Sequence, residues 1–221
     1  MKERLTEELI AIRACKELQS GDFCNLGIGT PQLCAMHVPG GIHVQTENGA
    51  IGYGPLLTAD NWQQIDTDFV DAGGKFFTSA PGMSFFDMLT SFAMIRSGRL
   101  ISILGGLQVS QKGDLAIHST SEADKYPQVG GSMDLAWGAK RLIVAMTHNT
   151  KDGKPKIMKE LSLPVTAHEC VDLIITDLAV IEVTPGGLLL KEFASGWTPQ
   201  EVQEQTEAGL AIADDVKEIE F

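Results

Sequence analysis

Two hydrophobic rhythms alternate along the chain. Residues Thr6 to Gln19 place Leu9, Ile10, Ile12, Ala14, Cys15 and Leu18 at near-helical spacing, and Gly21 follows as a stop signal, so an amphipathic opening helix is predicted. Phe23 to Leu26 then reads as a short buried strand that runs into Gly27-Ile28-Gly29-Thr30-Pro31. A helix over Gln32 to His37, with Pro31 in its first turn, follows from that order. Gly41 to Thr46 alternates branched apolar and polar residues, the mark of a strand with one buried face. Ser84 to Arg96 carries Phe85, Met88, Leu89, Phe92, Ala93 and Ile95, a wide apolar stripe that predicts a helix packed into the core.

The second half of the chain favours strands. Leu100 to Leu104 and Arg141 to Met146 are nearly continuous apolar runs, as expected in a sheet buried on both faces. Between them Ala116 to Gln128 is polar and aperiodic, a loop, and Ser132 begins a short helix through Gly138. Asp152-Gly153 marks a turn, after which Lys154 to Lys159 returns to the sheet or its edge. Val171 to Thr176 and Ala179 to Val183 read as strands, the second pairing through Pro185-Gly186-Gly187 with Leu188 to Leu190 as a hairpin. Thr198-Pro199 opens a terminal helix, and the acidic stretch from Asp214 onward reads as a solvated tail.

With 221 residues and no linker-like stretch, this pattern predicts one α/β domain over residues 1–221. The longest apolar runs are strand-length, so no membrane span is expected. The amino terminus is charged from its start and lacks a signal-peptide core, which points to the cytoplasm. Cys15, Cys24, Cys34 and Cys170 form no C-x-x-C pair and read as reduced, buried thiols. A net charge of −12 argues against nucleic acid and against an anionic membrane face as partners. The histidines His37, His43, His118, His148 and His168 lack metal-ligand spacing.

The candidate chemistry gathers at Gln45-Thr46-Glu47-Asn48-Gly49-Ala50-Ile51-Gly52-Tyr53-Gly54-Pro55. Glu47 falls at the carboxyl end of a predicted strand, the edge of an open α/β sheet where ligands bind. On the residues alone it is either a solvated turn residue or a catalytic carboxylate. The loop Gly27-Ile28-Gly29 is likewise either a tight turn or an anion cradle.

Five stretches decide between these readings: Asn25-Leu26-Gly27-Ile28-Gly29-Thr30-Pro31, Thr46 to Pro55, Ser91-Phe92-Ala93-Met94-Ile95-Arg96, Leu104-Gly105-Gly106-Leu107-Gln108-Val109 and Gly130-Gly131-Ser132-Met133-Asp134-Leu135. In order and spacing, the sequence resembles the β subunits of class I CoA-transferases of the 3-oxoacid type. The resemblance covers nearly the whole chain. It implies a three-layer α/β/α fold, an open, mostly parallel sheet shared with sugar-phosphate isomerases. It implies that Glu47 is the nucleophile and that the Gly131 amide belongs to an oxyanion hole. Asn25, Gly27, Gly29, Asn48, Gly105, Gly106, Gln108 and Gly130 would surround the substrate or CoA.

The implied reaction moves CoA from an acyl-CoA (succinyl-, acetyl- or 3-oxoacyl-CoA) to a free 3-oxoacid or short-chain acid through a glutamyl-CoA thioester. CoA is then a substrate, with no permanent cofactor and no metal, and a separate α subunit completes a heterodimer or heterotetramer. Ionised at neutral pH, a glutamate attacks a thioester without a base beside it, which fits the lack of a catalytic histidine. The sequence departs from the family pattern at Thr46, where serine is usual, at Arg96 to Arg99, and from Ile117 to Gln128, the wall expected to face the acid. Within that wall His118 is a candidate substrate contact, and Lys75 a candidate phosphate contact. The rival readings are a sugar-phosphate isomerase-like enzyme, a non-catalytic subunit and an acyl-CoA hydrolase.

Overall fold

The apolar runs form the middle of one large sheet. In the computed structural model, which describes residues 2–125 and 127–221, five strands lie side by side and parallel. In sheet order these are β10 (Leu173–Thr176), β8 (Arg141–Met146), β5 (Leu100–Leu104), β1 (Phe23–Leu26) and β2 (His43–Thr46). Expectations placed on Met1 and Tyr126 lie outside the described residues. Antiparallel arms extend both edges: β3 (Ala50–Ile51) and β4 (Ser84–Phe85) beyond β2, and β11 (Ala179–Thr184) and β12 (Gly187–Phe193) beyond β10. A second sheet joins β6 (Gln108–Ser110), β7 (Leu115–Ala116) and β9 (Ile157–Met158), so the Lys154 to Lys159 segment returns to this smaller sheet rather than to the large one.

Strand alternation divides the core in two. Ile143 and Ala145 of β8 face one side, joining Ile101, Ile103, Ile175 and helix α1 (Glu7–Cys15). Leu142, Val144 and Met146 face the other, with Leu104, Ile174 and helices α2 (Met88–Ile95), α3 (Ser132–Gly138) and α4 (Pro199–Glu204). Each fully buried Leu, Ile or Val contributes about 1.5–3 kcal/mol, which explains the nearly continuous apolar runs; the one polar residue of β5, Ser102, is satisfied by donating to Leu135 O at 3.0 Å. Helices on both faces of a mostly parallel sheet give the three-layer α/β/α architecture implied by the resemblance.

Several elements differ from expectation. Helix α1 is shorter than Thr6 to Gln19: Thr6 caps it by accepting from Leu9 N, and it ends at Cys15. The segment after Gly29 is a 3-10 helix, Thr30–Met36, rather than a helix from Gln32, and its N-cap is a glycine at φ 87° with no side-chain acceptor. Ser84 and Phe85 belong to β4, and α2 begins only at Met88, where Asp87 in extended backbone accepts from Thr90 N at 2.9 Å. Much of the apolar stripe of that segment is not core, although Ile95 is buried and Phe92 packs against the core. Leu89 is 85% and Met88 63% exposed, Phe85 is exposed, and only Ser91 and Ile95 of the helix are buried. The acidic end is no solvated tail either. Leu210–Glu218 forms β13, parallel to β12, with Ala213 and Ile219 buried. The register slips between Leu190↔Ile212 and Glu192↔Lys217, so Asp214 and Asp215 both stay exposed within that irregularity while the flanking backbone pairs with β12.

Candidate active site

Glu47 stands where β2 ends. The turn closes with Gly49 N donating to Thr46 O at 3.0 Å, and Phe86 N donating to Gly49 O at 2.9 Å ties it to the segment after β4. Gly49 has φ 114°, and a Cβ there would sit 2.0 Å from Phe86 O. Only glycine fits that crossing. Thr46 is held from both sides: its Oγ1 accepts from Ala72 N at 2.8 Å, and its carbonyl accepts from Gln45 Nε2 at 3.1 Å. The backbone that carries Glu47 is therefore pinned before the side chain leaves it.

Behind Glu47 lies a buried polar row. Asn25 Nδ2 donates to Gln45 Oε1 at 2.6 Å, and Gln45 Nε2 donates to Ser91 Oγ at 2.7 Å. All three side chains are buried, and Asn25 Oδ1 has no partner among the described residues. Asn25 thus lies beneath the site as support.

Glu47 opens on a cavity of about 420 Å³ walled by Gly27, Gly105, Gly106, Gly130, Gly131 and Ile117. The Gly131 backbone lies against the Glu47 carboxylate, and its amide favours the charged form. A Cβ on Gly131 would lie 2.0 Å from Glu47 Oε2, so any side chain there displaces the carboxylate from that approach. No lysine, arginine or histidine among the described residues pairs with Glu47. Burial pushes its carboxyl above the ordinary glutamate value; the Gly131 amide opposes that shift and the nearby Asp134 charge adds to it.

The structure brings together Glu47, Gly131, Gly27, Gly105, Gly106 and Gly130 from four separated stretches. Other candidates fall outside this group. Asn48 is exposed and its amide donates to Val70 O at 2.8 Å, tethering a neighbouring loop. Gly29 caps the 3-10 helix. Gln108 binds Ser162 and Leu163, with Nε2 donating to Ser162 Oγ at 2.8 Å and Oε1 accepting from Ser162 N at 2.9 Å and Leu163 N at 3.2 Å. Its role there is a loop staple. His118 Nδ1 lies 2.7 Å from Thr166 Oγ1, outside the cavity wall, and Lys75 is exposed and also outside it. From the segment Ile117 to Gln128 the two ends reach the wall, and Gln128 N donates to His118 O at 2.8 Å across its base. Ala72, Val129 and Ser132 also line the cavity, together with the apolar Ile28, Leu104, Leu107 and Leu135; none of these carries a sequence signal for the site.

Among the described residues no group of three His, Cys, Asp or Glu side chains could hold a metal ion. No helix of these residues is long and apolar enough to cross a membrane.

The Coenzyme A transferase family model matches residues 8–205. One subunit of a probable succinyl-CoA:3-ketoacid coenzyme A transferase of Bacillus subtilis is 43% identical over 92% of this chain and 94% of its own. The corresponding 3-oxoadipate CoA-transferase subunit of Acinetobacter baylyi is 41% identical over 95% and 97%. The beta subunit of acetate CoA-transferase from Escherichia coli is 40% identical over 95% of each. Among solved structures, the acyl-CoA transferase YdiF of Escherichia coli O157:H7 superposes as apoenzyme with TM-score 0.75 at 21% identity, covering 98% of this chain and 43% of that one. Its thioester complex with CoA superposes at 0.72, with 22% identity and coverage of 100% and 44%. This chain thus spans less than half of the YdiF chain. The decarboxylase AibA/AibB shares the fold at TM-score 0.68 and 16% identity over 96% of this chain and 88% of its own. On the family model and these three sequence relatives, the chain belongs to the coenzyme A transferase family of enzymes, which move CoA between an acyl-CoA and an acid.

Proposed function

We propose that this chain is a single-domain catalytic β subunit that transfers CoA to a short-chain or 3-oxo acid through a glutamyl-CoA thioester on Glu47. The observation that carries the reading is the setting of Glu47: a half-buried carboxylate with no cationic partner among the described residues, facing a glycine-walled cavity and touched by one backbone amide. A shared fold does not decide a reaction, since a decarboxylase has it too. The support comes from the residue geometry.

Glu47 attacks the thioester carbonyl of an acyl-CoA, forming an acyl-glutamyl anhydride and releasing CoA thiolate. The thiolate then attacks the glutamyl carbonyl, the anhydride C–O bond breaks, and the first acid leaves as its carboxylate. The enzyme now carries CoA as a thioester. The incoming acid reverses both steps and departs as a new acyl-CoA. The oxygen that Gly131 N–H holds in the resting carboxylate is the glutamyl oxygen that gains charge when the thiolate adds, so this amide is suited to stabilise that intermediate. Such a donor contributes about 3–4 kcal/mol. Desolvation keeps the carboxylate reactive and raises its basicity, which suits a nucleophile that would be weak in water. The YdiF complex, solved as a thioester with CoA, is consistent with this chemistry.

The acids named for the three relatives differ although identities are 43, 41 and 40%, so the acceptor is proposed only by class. A cavity of about 420 Å³ with a mostly apolar and glycine wall suits a short acid. The shelter that an anhydride needs comes from a separate α subunit, as the subunit names of the relatives suggest. Its seat is the exposed face of α2 and α3. Leu89, Met88, Met133 and Trp137, the last 79% exposed, line that face, and α3 begins directly after Gly131. CoA enters as substrate, and the cytoplasm is the proposed compartment.

The test is to co-express the chain with its partner subunit, incubate with succinyl-, acetyl- or acetoacetyl-CoA, and map adducts by mass spectrometry after borohydride treatment. A CoA adduct or reduced product at Glu47, absent in Glu47→Ala, is expected. Full turnover by Glu47→Ala would instead identify a non-catalytic subunit. Loss of acyl-CoA independent of an acceptor acid would identify a hydrolase.

A further inference from the structure

Three neighbouring strands carry a polar side chain at the same level on the face that packs against α2 and α3. Val44 of β2, Cys24 of β1, and Ile101 and Ile103 of β5 belong to the core on the α1 side, so by strand alternation Gln45, Asn25 and Ser102 turn the other way. Register sets them side by side, Gln45 against Asn25 and Asn25 against Ser102. Each is 1% exposed. The surrounding positions on that face, Leu100, Leu104, Leu142 and Val144, are apolar.

Both ends of this row reach a helix. Gln45 Nε2 donates to Ser91 Oγ of α2 at 2.7 Å, and Ser102 Oγ donates to Leu135 O of α3 at 3.0 Å. The direction of the Gln45 amide follows from its partners. Thr46 O can only accept, so the atom 3.1 Å from it is Nε2, and Oε1 is left to accept from Asn25 Nδ2 at 2.6 Å. That Thr46 carbonyl belongs to the peptide unit that carries the Glu47 nitrogen. At the other end Leu135 N donates to Gly131 O at 2.9 Å, so the residue held by Ser102 also holds the backbone of Gly131. The two groups that meet at the carboxylate therefore hang from one row.

The row costs the fold stability. A buried polar chain competes with an apolar core only when every member is satisfied, and Asn25 Oδ1 has no partner among the described residues. Apolar side chains of the same shape would be nearly neutral or better for stability alone. Hydrogen bonds supply something that packing does not, a fixed direction between the groups they join.

We infer that Gln45 is a positioning residue for the transfer reaction: with Ser91 and Ser102 it sets Glu47 against the Gly131 amide by tying both to α2 and α3. This rests on the proposed role of Glu47 as nucleophile. None of Gln45, Ser91 and Ser102 lines the cavity, so their effect falls on the rate of attack and not on substrate binding.

The test reads single-turnover formation of the enzyme thioester from an acyl-CoA, in the complex with the partner subunit. Gln45→Met keeps the length of the side chain and removes both of its hydrogen-bonding ends. It is expected to lower the rate constant about tenfold or more, the scale of a small misplacement of a reacting group, with KM within about threefold of wild type. Ser91→Ala and Ser102→Ala should each give a severalfold loss, and they carry the test if Gln45→Met fails to fold. Adding Ser91→Ala to Gln45→Met should cost little more, because both act through one link. A merely structural role would lower the amplitude, which counts folded sites, and leave the rate constant alone. Wild-type rate constants in the variants that fold, or losses that multiply in the double variant, overturn this inference and leave the transferase reading standing. If the wild-type complex forms no thioester on Glu47, that reading itself fails and the inference falls with it.

Discussion

Glu17 and Glu47 are both carboxylates largely withdrawn from water, and their surroundings send them in opposite directions. Glu17 sits at the end of α1 between two guanidinium groups, with Arg13 Nη1 at 2.7 Å and Arg141 Nη2 at 2.8 Å, and Arg13 also binds Glu192 at 2.8 Å. Burial works to raise its pKa, but these partners overcome it and hold the carboxyl below the usual range. Glu47 has similar burial and only the Gly131 amide in compensation, so burial prevails. A carboxylate that serves the fold is paired. One that must attack carbon is left short of partners, and the fold bears that cost elsewhere.

The largest test of the contrast is to neutralise each carboxylate in turn. Glu47→Gln should reduce transferase kcat by at least about 10³-fold, as for a covalent nucleophile, with the fold intact by circular dichroism. Glu17→Gln should leave kcat within a few-fold of wild type. A Glu17 variant as inactive as the Glu47 variant would break the distinction.

Next in size is Gly131→Ala. Its Cβ would overlap Glu47 Oε2, so the side chain must swing away from the one amide that holds it. A loss of about 10²–10³-fold in kcat is expected, measured in single-turnover formation of the enzyme thioester. At Gly130 the added methyl meets no atom within 4 Å, and its φ of 48° leaves only backbone strain. Gly130→Ala should therefore cost far less activity than Gly131→Ala.

The third effect is on stability alone. Removing the Glu17 charge strands Arg13, whose side chain is 8% exposed, with one partner of two. Breaking a buried pair costs about 3 kcal/mol, a fall of roughly 6–12 °C in Tm for a chain of this size. Thermal unfolding of Glu17→Gln against wild type at neutral pH measures it.

These two carboxylates also show what is legible in the sequence. Strand alternation up to Thr46 fixes where β2 ends and so where Glu47 stands, whereas the approach of Gly131 to it is implied only by the family resemblance. Glu17 cannot be placed in that way: Arg13 is 4 residues away, but Arg141 is 124 residues away on β8, and pairing of that kind leaves no periodic trace. The same limit explains α2. An apolar stripe predicts burial but not by which chain, and Leu89 and Met88 point away from this one. The end from Asp214 onward misleads for a different reason. Its adjacent Asp214 and Asp215 sit at a register irregularity of a strand whose sheet partner, β12, is itself set by a hairpin, so no period of two is visible there.

The smallest effect is the pH dependence, and here the two residues must differ in sign. Glu17 has a folded pKa below its unfolded value, so its contribution to stability is present above the unfolded pKa and lost as pH falls through the folded one. Glu47 has a folded pKa above its unfolded value, so the native state holds that proton more tightly. Stability then declines as pH rises from the unfolded pKa through the folded one. Accordingly Glu47→Gln should be slightly more stable than wild type at neutral pH, by less than about 1 kcal/mol after solvent screening, or roughly 1–3 °C in Tm. That advantage should vanish in acid, below the unfolded pKa, just where the deficit of Glu17→Gln is also shrinking. The acidic limb of kcat/KM should lie above the ordinary glutamate range, since the nucleophile must be ionised. A Glu47→Gln variant less stable than wild type at neutral pH would mean that the carboxylate has a partner in solution and is built like Glu17 after all.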